Sequence, residues 1–442
     1  MFENKKIFIL GMAKSGYAAA KLLHNYNNEI LITDFKEQDE DHVKELESLG
    51  IKFVLTDKPE DLLDDSFDYV IKNPGVHPNH IVCIKANKLN IPVTNEVEVA
   101  YSLLPNNVKI VGITGSNGKT TTTTITYEIM KRAGLPVVLG GNIGYPVSSL
   151  IGNVKEGDTL VLEISSHQLN DIINFKTDIS VLTNLSEVHL DHFGTYENYK
   201  NQKVKIFNRH TKNDIGILNF DDKDSMEYDN KIPSTKEYFS ISSKKDAYIE
   251  DGYICYKGEK VIALKDILLK GNHNYENIMC AIMVVKQFNV SNDVINEVLK
   301  EFKGVEHRLE YVTTKNGIAF YNDSKATNIK STQIALSSFN TPTILLLGGL
   351  DRGHSFEGLV SYLKNTKLIV CYGQTKERIK EFADNIKMDC IVVETLEEAT
   401  TAAYNHASSG DTILLSPACA SWDQYKKFED RGEDFKRVIN NL

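Results

Sequence analysis

The chain is poor in several features that would have assigned it to a class at once. Its six cysteines (Cys83, Cys255, Cys280, Cys371, Cys390, Cys419) have no C-x-x-C spacing. Thiols scattered like this, several inside apolar runs such as "IVCYG", argue against a zinc site or a disulfide scaffold and are expected to be buried and reduced. No run approaches the ~18 apolar residues that span a bilayer. The opening "MFENKKIFIL" enters a strand pattern with no apolar signal segment and cleavage site. Positive charge is not in excess either: 50 Lys and Arg against 60 Asp and Glu give a formal net charge of −10. Such a balance offers no footprint for nucleic acid or an anionic membrane. The expectation is a cytoplasmic protein that binds no nucleic acid and does not insert in a membrane. A small anionic ligand would need a local pocket of backbone amides and a few Lys or Arg. No repeat of 20–50 residues and no low-complexity tract is present.

What the chain has is length and alternation. Its 442 residues exceed what one core organises, so two or three domains are expected. The first block alternates strands "KIFIL", "EILITD", "KFVL" and "YVIKNPG" with short helical stretches, which implies a parallel sheet covered on both faces. "NEVEVAYSLLPNN" reads as a connecting helix. A second block starts at "VKIVGITG", continues through "TLVLEIS" and "ISVLTNLS", and carries hairpin signals in "EDGYICYKGEKVIAL". Helical "NYENIMCAIMVVKQF" and "NDVINEVLKEF" close it. The third block has strands "GIAFYNDS", "TILLLGG", "LIVCYG" and "DTILLSP", and ends in a helical "DQYKKFEDRGEDFKRVINNL". The fold class expected is α/β, with three α/β domains in tandem at 1–94, 95–304 and 305–442.

The second block carries the strongest chemical signal. Thr114-Gly115-Ser116-Asn117-Gly118-Lys119-Thr120, followed by Thr121, lies between a strand and a helix. The strict pattern is G-x-x-x-x-G-K-[ST]. Here Ile113 stands at the first glycine position, and Gly118-Lys119-Thr120 are intact. Successive N–H groups and the helix N-terminus can surround an anion. Lys119 can reach the outer phosphates, and the Thr120 hydroxyl can ligate Mg²⁺. Glu163 ends "TLVLE", and His189 and Asp191 follow the next strand. Ligands gather at the carboxyl ends of parallel strands, so these residues can meet the phosphate loop in one crevice. In "EVHLDHF" the leading histidine of H-x-H-x-D-H is replaced by Glu187, which argues against a dinuclear metallohydrolase.

The first block opens with G-M-A-K-S-G, where Ala13 replaces the middle glycine of a dinucleotide loop. Asp34 ends the second strand, where an acid can bond a ribose hydroxyl. A different nucleotide, with phosphates against Lys14, Ser15 and Gly16, suits this turn better than NAD. Two nucleotide-like crevices suggest that a phosphate is consumed to activate a nucleotide-linked substrate.

"TGSNGKTT", "GGNIG", "LEISSHQL", "NLSEVHLDHF", "GNHNYEN", "EHRLE", "NDSKATN" and "SPACASWDQYKKFEDRG" together resemble the Mur ligases of peptidoglycan synthesis, and the last two resemble the D-glutamate-adding branch. The resemblance runs from the first strand to the C-terminus. It implies a Rossmann-like N-terminal domain for a uridine nucleotide, a central P-loop ATPase-like domain and a Rossmann-like C-terminal domain for the amino acid. It also implies an ATP-dependent amide bond made through an acyl phosphate, with UDP-N-acetylmuramoyl-L-alanine, D-glutamate and ATP as small-molecule substrates of a monomer. By that resemblance Gly115, Asn117, Gly118, Lys119, Thr120 and Thr121 hold the ATP phosphates, and Asn277, Arg308, Asp323 and Lys325 make the other ATP contacts. Two Mg²⁺ ions are implied, one on Thr120 and Glu163 and one on His189. Lys203 matches a lysine that the family carries carbamylated, and Lys119, His189 and Lys203 are the implied catalytic residues. From the residues alone, Lys203 reads as an ordinary helix-surface lysine. Ser15, Asp34, Lys36 and Gly75 match the uridine-diphosphate site, and Asn142 lies nearer the muramoyl end. Thr327, Ser421 and Phe428 match the D-glutamate pocket, with Arg352 standing where some members carry a lysine. His167 stands where some members carry an aromatic.

The alternatives are another amino acid ligase of the superfamily, such as a folylpolyglutamate synthase, and a regulator that hydrolyses ATP slowly. A folate ligase lacks the N-terminal uridine domain. In a regulator, Asp323, Lys325, Arg352 and Ser421 would be idle. The next ligase of the pathway carries a D-N-P-R tetrapeptide, which is absent here.

Overall fold

A computed structural model describes residues 1–188 and 190–442, with the side chain of Asp191 outside the description. The chain divides into two compact units, Met1–Glu301 and Phe302–Leu442.

The first unit contains two sheets. Strands β1 (Lys6–Leu10), β2 (Glu29–Asp34), β3 (Lys52–Leu55), β4 (Tyr69–Lys72) and β5 (Val93–Thr94) stand in the order β3-β2-β1-β4-β5. All their pairings are parallel. The order reverses between β1 and β4, and a crevice opens at such a switch point. The second sheet is built on β6 (Lys109–Thr114), β7 (Val137–Gly141), β8 (Thr159–Glu163), β9 (Ile179–Leu182), β10 (Ile215–Asn219) and β11 (Thr235–Ser240). An edge of β12 (Ala247–Glu250), β13 (Tyr253–Tyr256) and β14 (Glu259–Ala263) extends it, where the pairing turns antiparallel as the hairpin signals predicted. The order is β14-β13-β12-β11-β10-β9-β6-β8-β7.

The helix after β6, Lys119–Arg132, contains a run of threonines that favours strand by propensity. Three of its hydroxyls are satisfied inside the helix. Thr123, Thr124 and Thr126 each donate to the carbonyl four residues back at 2.8 Å, the bond open to a threonine hydroxyl in a helix. Burial of Ile125, Ile129 and Met130 then fixes the helix on its sheet.

The helix Glu96–Ser102, read from sequence as a connector, is largely buried. Glu98 accepts the N–H groups of Ile173 and Phe175 at 2.9 Å and of Asn174 at 2.8 Å. Glu96 accepts Ser148 N–H at 3.0 Å. Residues of both sheets pack into one apolar cluster here, with Ile7, Ile9 and Ile32 from one side and Leu160, Leu162 and Leu182 from the other.

The second unit holds β15 (Glu310–Lys315), β16 (Ile318–Asn322), β17 (Thr343–Gly348), β18 (Thr366–Tyr372), β19 (Cys390–Val392) and β20 (Thr412–Ala418), in the order β15-β16-β20-β17-β18-β19. It is parallel except for β15. Separate apolar clusters cover its faces. The last helix is Phe428–Asn441 and not the whole of 423–442. Asp423 accepts the N–H of Gln374 at 3.1 Å, and Gln424 donates to the carbonyl of Glu394 at 2.7 Å. Those cross-loop bonds hold the chain out of a helix until Phe428.

Candidate active site

At the carboxyl ends of β1, β2 and β4 lies a cavity of about 590 Å³, lined by Gly11, Ala13, Asp34, Lys36, Gly75 and His77 among others. Three of the expected substrate residues, Asp34, Lys36 and Gly75, face it. Asp34 organises the turn as well: its Oδ2 accepts Met12 N–H at 2.9 Å and its Oδ1 accepts Lys36 N–H at 3.0 Å. The closing glycine of the turn is sterically required, since a Cβ on Gly16 would stand 2.2 Å from the carbonyl oxygen of Gly11. Ser15 joins through a residue the sequence did not single out. Asn73 donates from Nδ2 to Ser15 Oγ at 2.9 Å and accepts Gly75 N–H on Oδ1 at 3.0 Å. One carboxamide therefore ties the loop after β1 to the loop after β4.

The phosphate loop follows β6 and is braced by the segment after β9. Ser116 N–H donates to the carbonyl of Asn184 at 2.8 Å, and Asn117 N–H donates to Asn184 Oδ1 at 3.0 Å. Thr183 Oγ1 donates to the carbonyl of Asn117 at 2.6 Å. Lys119 Nζ lies over the loop, donating to the carbonyls of Gly115 and Ser116 at 2.8 and 2.9 Å. Thr120 is buried and Thr121 half-buried in the first helical turn. Gly118 has φ +81°, and a Cβ there would fall 2.1 Å from Asn277 Oδ1. The loop is thus packed directly against Asn277, on the helix Asn272–Lys286.

Glu163, at the end of β8, is 2% exposed. Its Oε1 accepts Asn142 Nδ2 at 2.7 Å. Asn142, expected near the substrate, therefore also orients this carboxylate.

Lys203 overturns its reading as a surface residue. It is 2% exposed, with Nζ donating to Thr114 Oγ1 at 3.2 Å and lying 5.6 Å from the Tyr199 ring centroid. Burial holds its pKa well below the usual lysine range; the charge of Lys119 pushes the same way, and Glu163 opposes. The cue in "YENYKNQKV" is slight: Tyr199 and Tyr196 stand four and seven residues before Lys203 on the same helical face, while its other neighbours there are mostly polar or charged. The Thr120 hydroxyl, in the first turn of the helix after β6, and the Glu163 carboxylate, at the end of neighbouring β8, are hard oxygen donors of the kind Mg²⁺ takes. His189, expected as a metal ligand, and the side chain of Asp191 lie outside the described residues. His167 and His192 meet at 4.3 Å between ring centroids, and His77 stands 5.0 Å from His192.

In the second unit Asp323 follows β16 and is 5% exposed. Its Oδ2 accepts Ser416 Oγ at 2.8 Å and its Oδ1 accepts Leu309 N–H at 3.2 Å. Burial pushes its carboxyl up to about 7, against the Ser416 bond and the nearby Arg308 charge. Lys325 Nζ lies 5.8 Å from the Phe428 ring centroid, and Thr327 N–H donates to the Lys325 carbonyl at 2.9 Å. Arg352 lies over the Trp422 ring, next in the chain to Ser421. Arg431, unremarked in the sequence beyond its place in "FEDRG", is fully buried. It donates to Ser324 Oγ at 3.0 Å, to the Ser324 carbonyl at 2.8 Å and to the Cys419 carbonyl at 3.1 Å. The loops of Asp323–Lys325 and Cys419–Ser421 are therefore held by one guanidinium.

Among the described residues no helix is long and apolar enough to cross a membrane. Residues 113–285 match the Mur ligase middle domain, and residues 307–419 match the Mur ligase glutamate ligase domain. UDP-N-acetylmuramoylalanine–D-glutamate ligases from Bacillus cereus (strain Q1), Bacillus anthracis and Bacillus thuringiensis (strain Al Hakam) are each 44% identical over 445 residues, spanning 100% of this chain and 98% of their own. Among solved structures, the UDP-N-acetylmuramate–alanine ligase of Thermotoga maritima has a TM-score of 0.61 at 18% identity, with 99% of each chain covered. The MurF ligase of the same organism, in complex with ADP, has a TM-score of 0.58 at 18% identity, covering 99% of this chain and 96% of its own. These two share the fold. Identity of 44% along the whole length, together with both domain matches, is a closer tie: the chain belongs to the Mur ligase family.

Proposed function

We propose that the chain is an ATP-dependent ligase that joins D-glutamate to UDP-N-acetylmuramoyl-L-alanine, a step of peptidoglycan precursor synthesis in the cytoplasm, and that it works as a monomer. The observation that carries this reading is the pairing of two crevices within one unit. A 590 Å³ cavity lined by Asp34, Lys36 and Gly75 lies in one sheet, and a phosphate loop with buried Glu163 and Lys203 lies in the next. A switch protein needs only the second.

A carboxylate is a poor acylating group, and phosphorylation supplies the leaving group. The L-alanyl carboxylate attacks the γ-phosphorus of ATP, giving an acyl phosphate and ADP. The amine of D-glutamate then attacks the acyl carbon, and the tetrahedral intermediate expels phosphate. Both steps crowd negative charge, so the site must place cations and N–H dipoles there beforehand. Loop amides 115–120 and Lys119 hold the outer phosphates. Asn277, Arg308, Asp323 and Lys325 hold the rest of the nucleotide. Ser15, Asp34, Lys36 and Gly75 bind the uridine diphosphate, with Asn142 towards the sugar, and Thr327, Arg352, Ser421 and Phe428 bind D-glutamate. Thr120 and Glu163 would hold one Mg²⁺, and His189 with a carbamylated Lys203 a second, to neutralise phosphate charge. Lys203 suits that modification because its buried amine is readily neutral, the form that attacks carbon dioxide. Carbon-13 bicarbonate should give a carbamate signal that Lys203→Arg abolishes. The three segments 1–94, 95–304 and 305–442 divide this labour.

Phosphate release decides the matter. With ATP, Mg²⁺ and UDP-N-acetylmuramoyl-L-alanine present, sustained release should require D-glutamate and should not occur with L-glutamate, L-alanine or no amino acid. Equal release in all four would replace the ligase with a slow ATPase.

A further inference from the structure

Trp422 is the only tryptophan of the chain, and it is 64% exposed. An indole placed so far into solvent invites a reason, and its neighbours supply one. The guanidinium carbon of Arg352 lies 4.8 Å from the ring centroid.

Both loops that make this contact are fixed from below. In the Arg352 loop, Asp351 accepts from the Arg378 guanidinium and from Gly353 N–H, the latter at 2.8 Å. Arg378 also donates to the His354 carbonyl at 2.9 Å. The Trp422 loop joins this one where Leu350 N–H donates to the Ala420 carbonyl at 2.9 Å. Asp423 and Gln424, just beyond the indole, make the cross-loop bonds that delay the last helix. Next to the indole, Ser421 is 2% exposed and its hydroxyl has no hydrogen-bond partner among the described residues. A buried hydroxyl left without a partner is the exception in folded proteins and calls for a group that satisfies it.

We propose that Trp422 is a positioning residue for the incoming amino acid. Its ring holds the Arg352 guanidinium in place next to the loop of Ser421, so that a dicarboxylic amino acid meets a preset fork. A guanidinium held against a ring makes no hydrogen bond there and keeps its N–H donors for a carboxylate. A free arginine side chain loses rotamer freedom on binding, and one already laid on an indole has less to lose. An acceptor without a second carboxylate leaves that fork unmatched. This assignment rests on the ligase reading and adds the residue that sets the acceptor class.

The test uses the full-length enzyme with all three substrates, comparing the native chain with Trp422→Leu, Trp422→Phe, Arg352→Met and the Trp422→Leu/Arg352→Met pair. Trp422→Leu should raise KM for D-glutamate about two- to fivefold, the scale of an exposed cation–π contact. kcat should stay within about twofold, and the KM values for ATP and the uridine substrate should not move. Trp422→Phe should restore most of the loss. The double variant should be no worse than Arg352→Met, because groups acting as a unit are not additive. Fluorescence of the single tryptophan should respond to D-glutamate in the native chain and not in Arg352→Met. An unchanged KM for D-glutamate in Trp422→Leu, additivity in the double variant, or a parallel rise of all three KM values would overturn the assignment while leaving the ligase reading intact. A native chain that releases phosphate without regard to D-glutamate would sink the ligase reading itself.

Discussion

Asp323 shows what a single buried carboxylate costs the fold. Buried and bonded to Ser416 and Leu309 N–H, it is pushed by desolvation up to about 7, against about 4 for an unfolded aspartate. Between those values the folded chain holds a proton that the unfolded chain releases. Stability therefore falls as pH rises through about 4 to 7, and the loss is complete above 7. At 1.36 kcal/mol per pH unit the loss is bounded at about 4 kcal/mol. Asp323→Asn keeps the shape, since its oxygen can accept Leu309 N–H while its amide donates to Ser416. The variant should match the native chain in Tm at pH 4, exceed it by several degrees at pH 8, and lose at least about tenfold in ATP turnover if Asp323 faces the nucleotide. Thermal melts across that range check it, and parallel pH profiles for the two chains would defeat it. Arg431 is the opposite case, a buried cation that the fold uses. Lysine cannot bond Ser324 Oγ, the Ser324 carbonyl and the Cys419 carbonyl together. Arg431→Lys should therefore lower stability by about 2–4 kcal/mol in denaturant melts.

At the scale of elements, the site is a set of loops at the carboxyl ends of parallel strands, and those loops are rigid because side chains from one cross to the next. Asn73 links Ser15 to Gly75, Asn142 links the loop after β7 to Glu163, and Thr183 and Asn184 brace the phosphate loop. Asn73→Ala removes two such bonds at about 0.5–1.5 kcal/mol each. KM for the uridine-linked substrate should rise about tenfold, with KM for ATP unmoved; equal rises in both would show a general loosening instead. The strands and loops themselves were legible in the sequence. "VGITGSNGKTT" announces its turn by glycine spacing, and "TLVLE" places Glu163 by ending a buried strand. The ties were not legible, because an asparagine that joins loops 58 residues apart leaves no local pattern. Lys203 was misread for the same reason: its burial comes from the elements packed around it. Strands β7, β10, β11 and β15 also escaped, because glycine or polar residues interrupt their apolar pattern, and β19 because it is too short to show a period. The late start of the last helix depends on bonds to Gln374 and Glu394 that no helix rule contains.

At the scale of the whole molecule, core residues show which parts of the chain depend on others to fold. Among the described residues, the clusters on the faces of the β15–β20 sheet are built from residues of the second unit, between Leu309 and Leu442. The sheet of β1–β5 differs. One face buries Phe8, Leu63, Phe67 and Val82 within its own segment. The other face, with Ile7, Ile9 and Ile32, is covered through the helix Glu96–Ser102 and shares its cluster with Leu160 and Leu162. A fragment ending at residue 94 would leave that face in water, an exposed apolar patch of the kind that drives association. Expressed alone, 302–442 should unfold cooperatively and remain monomeric. Fragment 1–94 should aggregate, and 1–301 should be soluble with a single transition. Circular dichroism melts with size-exclusion chromatography separate the outcomes. A soluble, cooperative 1–94 would show that the cluster around Glu96–Ser102 contributes little to the first sheet. An unfolded 302–442 would show that its two clusters cannot offset its chain entropy without the rest of the protein. If the fragments behave as expected, the crevice lined by Asp34 and the phosphate loop rest on one apolar cluster, and neither can be built by its own sheet alone.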